Sequence, residues 1–437
     1  MSPKALKGFN VRQSTITSQH KEEINKEVPP GAPMVVKSTN VSGAPVGPGY
    51  TVIPLPAFTY NRNEGYWAGA LTPIFRANAK GEVEDIYAPL YLHNELIGET
   101  FTFNYFGYRH ETTQFHVILS HATKIERTVD VGYKNTAALD GQYIFGLVAN
   151  TGKSAFNRFF GGNSSLQSSE SQYTLADANF KLTGGVHLTE GLSVLASERY
   201  RVTNIEAGAS PSLPQTSVAF PTTPGIDGSE VVGHGLTMAY DTRDNELTPL
   251  EGTYVTAFTE YDQNIKFSER NRWWRITGEW RYFLPHDDYQ MVFVPHFLID
   301  SEVGQDSNSV AGAPGSSVQV NQGVPFYERP TLGGENTLRG FGRDRFVSNV
   351  AYVLNLEERI TLSQRSLMGN VIELELAPFL DMGRVASGWG SDDLIKRMQV
   401  NPGIGLRALA RPNIACRLDV GYGRDGANAY VGLDYPF

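Results

Sequence analysis

The sequence predicts an all-β fold: a transmembrane antiparallel β-barrel of sixteen strands, with a short, mostly disordered N-terminal segment. Three observations point there. Apolar and polar residues alternate with period two from about Thr51 onward. The connections between the alternating runs are short and long in turn, the pattern of a barrel with one tight rim and one long-loop rim. No run of about 18 apolar residues exists to cross a membrane as a helix, and the mean hydropathy of −0.28 is what strands with one lipid face and one polar face average to.

Residues 1–49 stand apart from the rest. Pro29, Pro30, Pro33, Pro45 and Pro48 with several glycines make an extended, poorly packed linker. Thr17–Glu27 fits one short polar helix, with Ser18 placed to cap it. Two readings stand: a disordered tail, or a segment that docks in a lumen or on a partner. No apolar signal sequence with a cleavage site is visible, so a signal is expected to have been removed.

Residues 50–437 supply the barrel. Phe101, Phe103 and Tyr105 put aromatics at every second position between Thr102 and Asn104. Leu236–Tyr240 alternates in the same way, and Tyr254–Tyr261 and Val292–Ile299 do so less strictly. Val371–Leu380, Pro402–Ala410 and Ile414–Tyr422 have similar lengths, near what a tilted strand needs to cross a bilayer. Asp392–Gln399 is the one short helical candidate. Asn61–Glu64, Leu188–Gly191 and Asn245–Gly252 read as short turns, and Ala207–Ser229 and Ser301–Val347 as long loops. Sixteen strands would allot about 24 residues to each strand and its connection. A propeller would show a repeat of 40–50 residues, and none is seen.

Composition excludes several functions. The net charge of −9 disfavours nucleic-acid binding, which needs a basic stripe. A single cysteine, Cys416, rules out an internal disulfide framework and reads as an inert wall residue. No G-x-S-x-G elbow or H-E-x-x-H occurs. Gly152-Lys153-Ser154 misses the phosphate-loop spacing, because Gly146 lies one residue too far away. His110, His116 and His121 are too spread along a strand for one metal. Neither metal nor cofactor is expected, and no enzymatic activity. Trp273 and Trp274, among Arg270, Arg272 and Arg275, fit a membrane-interface anchor better than a base-stacking site.

Pro330–Asp344 contains GGENTLRGFGRDRF, continuing to Phe346. This segment resembles the sixth-loop signature of the BamA/TamA-like outer-membrane insertase and translocase superfamily, the bacterial surface antigen family. Leu338-Arg339-Gly340-Phe341 matches its core tetrad. Further segments follow the family's order. Asp241, Arg243, Asp244, Pro249 and Gly252 match a strand–turn–strand signature. Glu357 and Arg359 match the strand after the loop, and Phe379, Asp381 and Gly383 a later one. Val52–Gly69 resembles the first hairpin, and Phe159–Ser165, more weakly, another segment. The resemblance spans about residues 50–437.

The resemblance implies a latch in which the loop tip enters the lumen and Arg339 is pinned to Glu357 and Asp381, with Phe379 beside it. A buried guanidinium needs such carboxylates, and Phe379 and Asp381 share a face because they are two residues apart. The latch could serve barrel stability alone or a gating cycle. Asp241, Arg243 and Asp244 could equally be a charge network at the rim. Gly432, Tyr435 and Phe437 read as a C-terminal sorting signal, with both rings on one face suited to the interfacial aromatic girdle.

The implied function is insertion or translocation of proteins, or lipid handling, in the outer membrane of a Gram-negative bacterium, through a weakly closed seam between first and last strands. The other reading is a structural or partner-binding barrel, or a passive pore. Outer-membrane lipids and lipopolysaccharide would surround it. The residues before the first strand do not read as POTRA domains, so a POTRA-less member, or a form trimmed of those domains, is expected, with a periplasmic or membrane protein partner, or the tail itself, in their place.

Overall fold

The computed structural model describes residues 49–437, apart from 53, 62, 79–82, 111, 162–169, 247, 267–270, 305–322, 368–369, 390–396, 411–413 and 433–434. The expected N-terminal tail, except Gly49, and most of the helical candidate Asp392–Gln399 lie outside the described residues.

Among the described residues, the alternation expected from the sequence produces one antiparallel sheet of 20 strands. The chain opens with β1 (Gly49–Val52), β2 (Leu55–Asn61), β3 (Gly65–Leu71), β4 (Ile74–Ala77) and β5 (Val83–Asn94). β6 (Gly98–His110), β7 (Thr113–Ala122), β8 (Arg127–Ala137), β9 (Tyr143–Phe159) and β10 (Ser171–His187) follow. Next come β11 (Leu192–Glu206), β12 (Ser229–Asp241), β13 (Gly252–Asn264), β14 (Arg272–His286) and β15 (Met291–Gly304). A two-stranded ribbon, β16 (Thr331–Leu332) and β17 (Phe346–Val347), lies within the long loop. The sheet then resumes with β18 (Val350–Leu367), β19 (Asn370–Ala386), β20 (Gln399–Ala410), β21 (Ile414–Gly423) and β22 (Gly426–Gly432). Helix is confined, among the described residues, to two four-residue turns, Ala138–Gly141 and Thr216–Ala219.

From β5 to β15 and from β18 to β22 each strand pairs with its successor, and β15 pairs with β18. β1 and β2 form one interrupted strand against β4 and β3, which together run along β5. Each interruption carries a proline, Pro54 and Pro73, which cannot donate to a ladder. Counting each interrupted strand once, the 20 strands occupy 18 positions, where the sequence reading expected sixteen. Many strands are long, up to 18 residues in β18, so the extra positions come from short connections such as 188–191 and 287–290.

The connections sort into two rims. Turns such as 188–191 and 287–290 lie at one, together with the connection from Asp241 to Gly252. The connection 207–228 lies at the other, where β15 also ends and β18 begins and where β19 ends and β20 begins. Short periplasmic turns opposite long extracellular loops are the pattern of outer-membrane barrels. On the outer face stand Phe101, Leu182, Leu236, Ile276 and Leu406, all exposed. The alternate positions are buried and polar, among them Arg199, Glu260, Arg275, Glu357, Arg407 and Asp419. Period two therefore puts a lipid-compatible face outside and a charged face inside. Trp274 follows the rule at 49% exposure, but Trp273 is 1% exposed and packs inward with Val231 and Val324. Only one of the two tryptophans expected at the membrane interface therefore faces outward.

Candidate functional site: a loop latched inside the sheet

β18 and β19 carry the inner wall of the site. Alternate positions Asn355, Glu357 and Arg359 on β18, and Phe379 and Asp381 on β19, are all buried. β20 and β21 add Asn401, Arg407 and Asp419 by the same register. The tip of the long loop reaches this wall. Leu338 and Phe341 anchor it in an apolar cluster with Leu332, Phe346, Ala351, Val353 and Val385.

Arg339 is 0% exposed. Its Nε and Nη2 donate to Oδ2 and Oδ1 of Asp381 at 3.0 and 2.8 Å, a bidentate pair. Its backbone N–H donates to the same carboxylate at 3.0 Å, and its Nη1 donates to Glu357 at 2.7 Å. The guanidinium carbon lies 3.3 Å from the centre of the Phe379 ring. Burial alone would lower the guanidinium's proton affinity, but Asp381 and Glu357 outweigh it and hold the charge. The acids have their own supports. Asn355 and Asn401 donate to Asp381 at 2.7 and 3.1 Å. Arg407 and Arg359 donate to Glu357 at 2.9 and 3.1 Å.

Backbone contact completes the fit. A Cβ on Gly340 would lie 2.6 Å from the Asn401 Cβ and 2.7 Å from the Gly423 nitrogen. A Cβ on Gly421 would lie 2.6 Å from the Arg339 carbonyl carbon. The loop can approach β21 only because these positions lack side chains. On β22, Asn428 donates to the Gly340 carbonyl at 3.0 Å and Tyr430 to that of Phe341 at 2.7 Å.

The structure thus brings Leu338, Arg339, Gly340 and Phe341 together with Glu357, Phe379 and Asp381. Asp241 and Gly252 lie at the ends of β12 and β13, and Arg243, Asp244 and Pro249 in the connection between them, at the short-turn rim. Arg243 donates twice to Asp241, at 2.9 and 2.6 Å, and stacks 4.4 Å from the Tyr254 ring. Both members are buried, so the charge network at this rim is not solvent-exposed. Asp244 caps the turn by accepting from the backbone of Leu250 and Glu251 at 2.9 and 3.2 Å. Gly252 sits at φ 104°, where a Cβ would meet the Thr242 carbonyl at 2.3 Å.

The C-terminal residues are placed differently from the expectation. β22 ends at Gly432, and Tyr435 and Phe437 are each only 4% exposed. Tyr435 donates to Glu375 at 3.1 Å and lies under Arg359, 3.7 Å from its guanidinium carbon. Phe437 stacks on His296 at 4.6 Å and packs with Phe283, Val292 and Val294. These partners belong to inward positions, so the rings point inside and not to the interfacial girdle. Pro436 cannot extend a ladder, and the rings gain cation–π and apolar contacts instead.

Sequence reasoning missed a second anchor of the same loop. Glu328 accepts from Arg201 at 2.6 Å, Arg275 at 2.9 Å and Arg199 at 3.3 Å. These arginines stand on β11 and β14, where Arg201 also pairs with Asp177, Arg199 with Asp262 and Arg275 with Glu302. Burial pushes the Glu328 carboxyl up, but the arginines prevail and hold it well below the usual carboxylate range. The loop therefore presents an anion to a basic wall and a cation to an acidic one. The available signal was weak: one glutamate between Tyr327 and Arg329, with the alternation of β11 to suggest inward arginines at 199 and 201. Among the described residues no cluster suited to a metal ion occurs.

Comparison with known proteins agrees with this geometry. The chain matches the Omp85 superfamily domain over residues 110–426. No curated protein matches it by sequence. Among solved structures it is similar to BamA from Haemophilus ducreyi lacking POTRA domains 1–3, with TM-score 0.50 and 13% identity over 87% of this chain and 74% of that one. It is also similar to CdiB from Escherichia coli, with TM-score 0.50 and 11% identity over 87% of this chain and 65% of that one. The domain match covers most of the sheet and the latched loop: the chain belongs to the Omp85 superfamily.

Proposed function

We propose that this protein inserts polypeptides into the outer membrane, or passes them across it, by parting its sheet between β2 and β22, with the latched loop as the fixed element beside the opening. The observation that carries this reading is the seam. Among the described residues, β2 and β22 share one residue pair, Tyr60 with Ala429, whereas β21 and β22 share seven, Arg417–Gly432 through Gly423–Gly426. In lipid an unpaired strand edge is costly. A seam with so little pairing leaves two edges that an incoming strand can satisfy by adding to the sheet. The arginine latch supports the same reading, because a buried bidentate pair fixes the loop in one register beside β22.

The test is assembly of a denatured client barrel in liposomes that contain the purified protein. The expected result is faster folding of the client than in protein-free liposomes, with the acceleration reduced by Arg339→Ala. No acceleration, together with a steady conductance indifferent to Arg339→Ala, would instead indicate a passive pore.

A further inference from the structure

Two arginines just past the latch reach opposite sides of the seam. Arg343 extends to the β2–β3 turn, where its Nη1 lies 3.5 Å from Glu64. Its backbone carbonyl accepts from Asn63 of the same turn at 3.0 Å. Arg345 extends to the β21–β22 turn, where its Nε lies 2.6 Å from Asp425. Between them Asp344 adopts φ 54°, and its side chain accepts from Thr331. That left-handed residue turns the chain so that its neighbours diverge. The approach is close: a Cβ on Gly342 would lie 2.5 Å from the Asn63 side-chain oxygen.

We propose that Gly342–Arg345 is a clasp that holds the seam shut by side-chain ion pairs where backbone pairing is nearly absent. This rests on the seam-opening reading above and adds to it the residues that control opening. The clasp is asymmetric. On the β22 side the loop is held by Asp425 and by Asn428 and Tyr430, whose side chains reach the loop carbonyls. On the β2 side the ion pair is longer and more open, with Arg343 33% and Glu64 16% exposed. Arg343 is also held within the loop by Glu335 at 3.0 Å, so it keeps a partner when Glu64 leaves. Opening therefore begins with loss of the Glu64 contact. The loop stays with β22 while the first hairpin moves away. Arg343 acts here as a positioning residue for the seam.

The test uses the full chain in liposomes with Cys416→Ser, Tyr60→Cys and Ala429→Cys, and reads the rate at which the two seam cysteines oxidise. Glu64→Gln and Arg343→Ala are each expected to slow it about two- to fivefold, the effect of losing one partly exposed ion pair. The double variant should be no slower than the slower single one, because both remove the same contact. Raising salt should slow the parent protein and leave the double variant nearly unchanged. Glu64→Gln and Asp425→Asn lie in surface turns, and their folding is checked by heat-modified gel mobility. Asp425→Asn should also slow oxidation. Unchanged rates in all these folded variants would overturn the clasp. If the rates shift but the oxidised barrel still assembles clients, the clasp stands and the seam-opening reading fails. If the rates do not shift but oxidation stops assembly, the clasp fails and the reading stands.

Discussion

Arg339 surrenders its hydration completely and regains it in contacts with two carboxylates and an aromatic ring. Removing a buried charge strands its partners. Arg339→Ala leaves Asp381 and Glu357 facing each other, and should cost about 3–5 kcal/mol, measured by denaturant unfolding of the refolded barrel. Arg339→Lys keeps the charge but loses the bidentate geometry, so an intermediate loss is expected. Glu328 predicts a pH dependence. Its folded proton affinity is depressed by Arg199, Arg201 and Arg275 against the opposing push of burial. Its stabilising contribution is therefore complete above the unfolded value of about 4.3 and is lost as pH falls toward the depressed folded value. Stability measured from pH 7 downward should show the gap between the parent and Glu328→Gln narrowing below about pH 4; a gap constant to lower pH would contradict the assignment. The Arg339–Asp381–Glu357 set was legible in the sequence because motif and strand alternation agreed on it. Glu328 was not, since a lone acid in a long polar loop has no period to place it.

At the scale of elements, the loop and strand β21 meet backbone to backbone. Gly340→Ala would force a Cβ to within 2.6 Å of the Asn401 Cβ. The expected cost is about 1–3 kcal/mol, with faster protease cleavage of the loop as the readout. A Cβ on Gly388 meets nothing within 4 Å, so Gly388→Ala should leave the cleavage rate unchanged. The strands themselves were readable, because Phe101–Tyr105 and Leu236–Tyr240 alternate cleanly. Their number was not. Division by an average length hides short connections such as 188–191 and 287–290 and the short β21–β22 hairpin. The fate of Tyr435 and Phe437 was also hidden, since period two carries no information beyond Gly432, where the strand ends. Trp273 and Trp274 show the same limit: adjacent residues on a strand cannot share a face, and register decides which one turns inward.

At the scale of the whole molecule, ladders of several to many paired residues run from β2 round to β22, and among the described residues they thin to one pair where those two strands meet. The charged interior seats a long loop at Glu328 and Arg339, and the same loop spans that thin junction. We propose that this junction opens during function. Client assembly by the barrel with Tyr60→Cys, Ala429→Cys and Cys416→Ser, oxidised and then reduced, tests the opening. Oxidation is expected to abolish assembly and reduction to restore it. Undiminished assembly by the fully oxidised barrel would show that the junction stays closed during function.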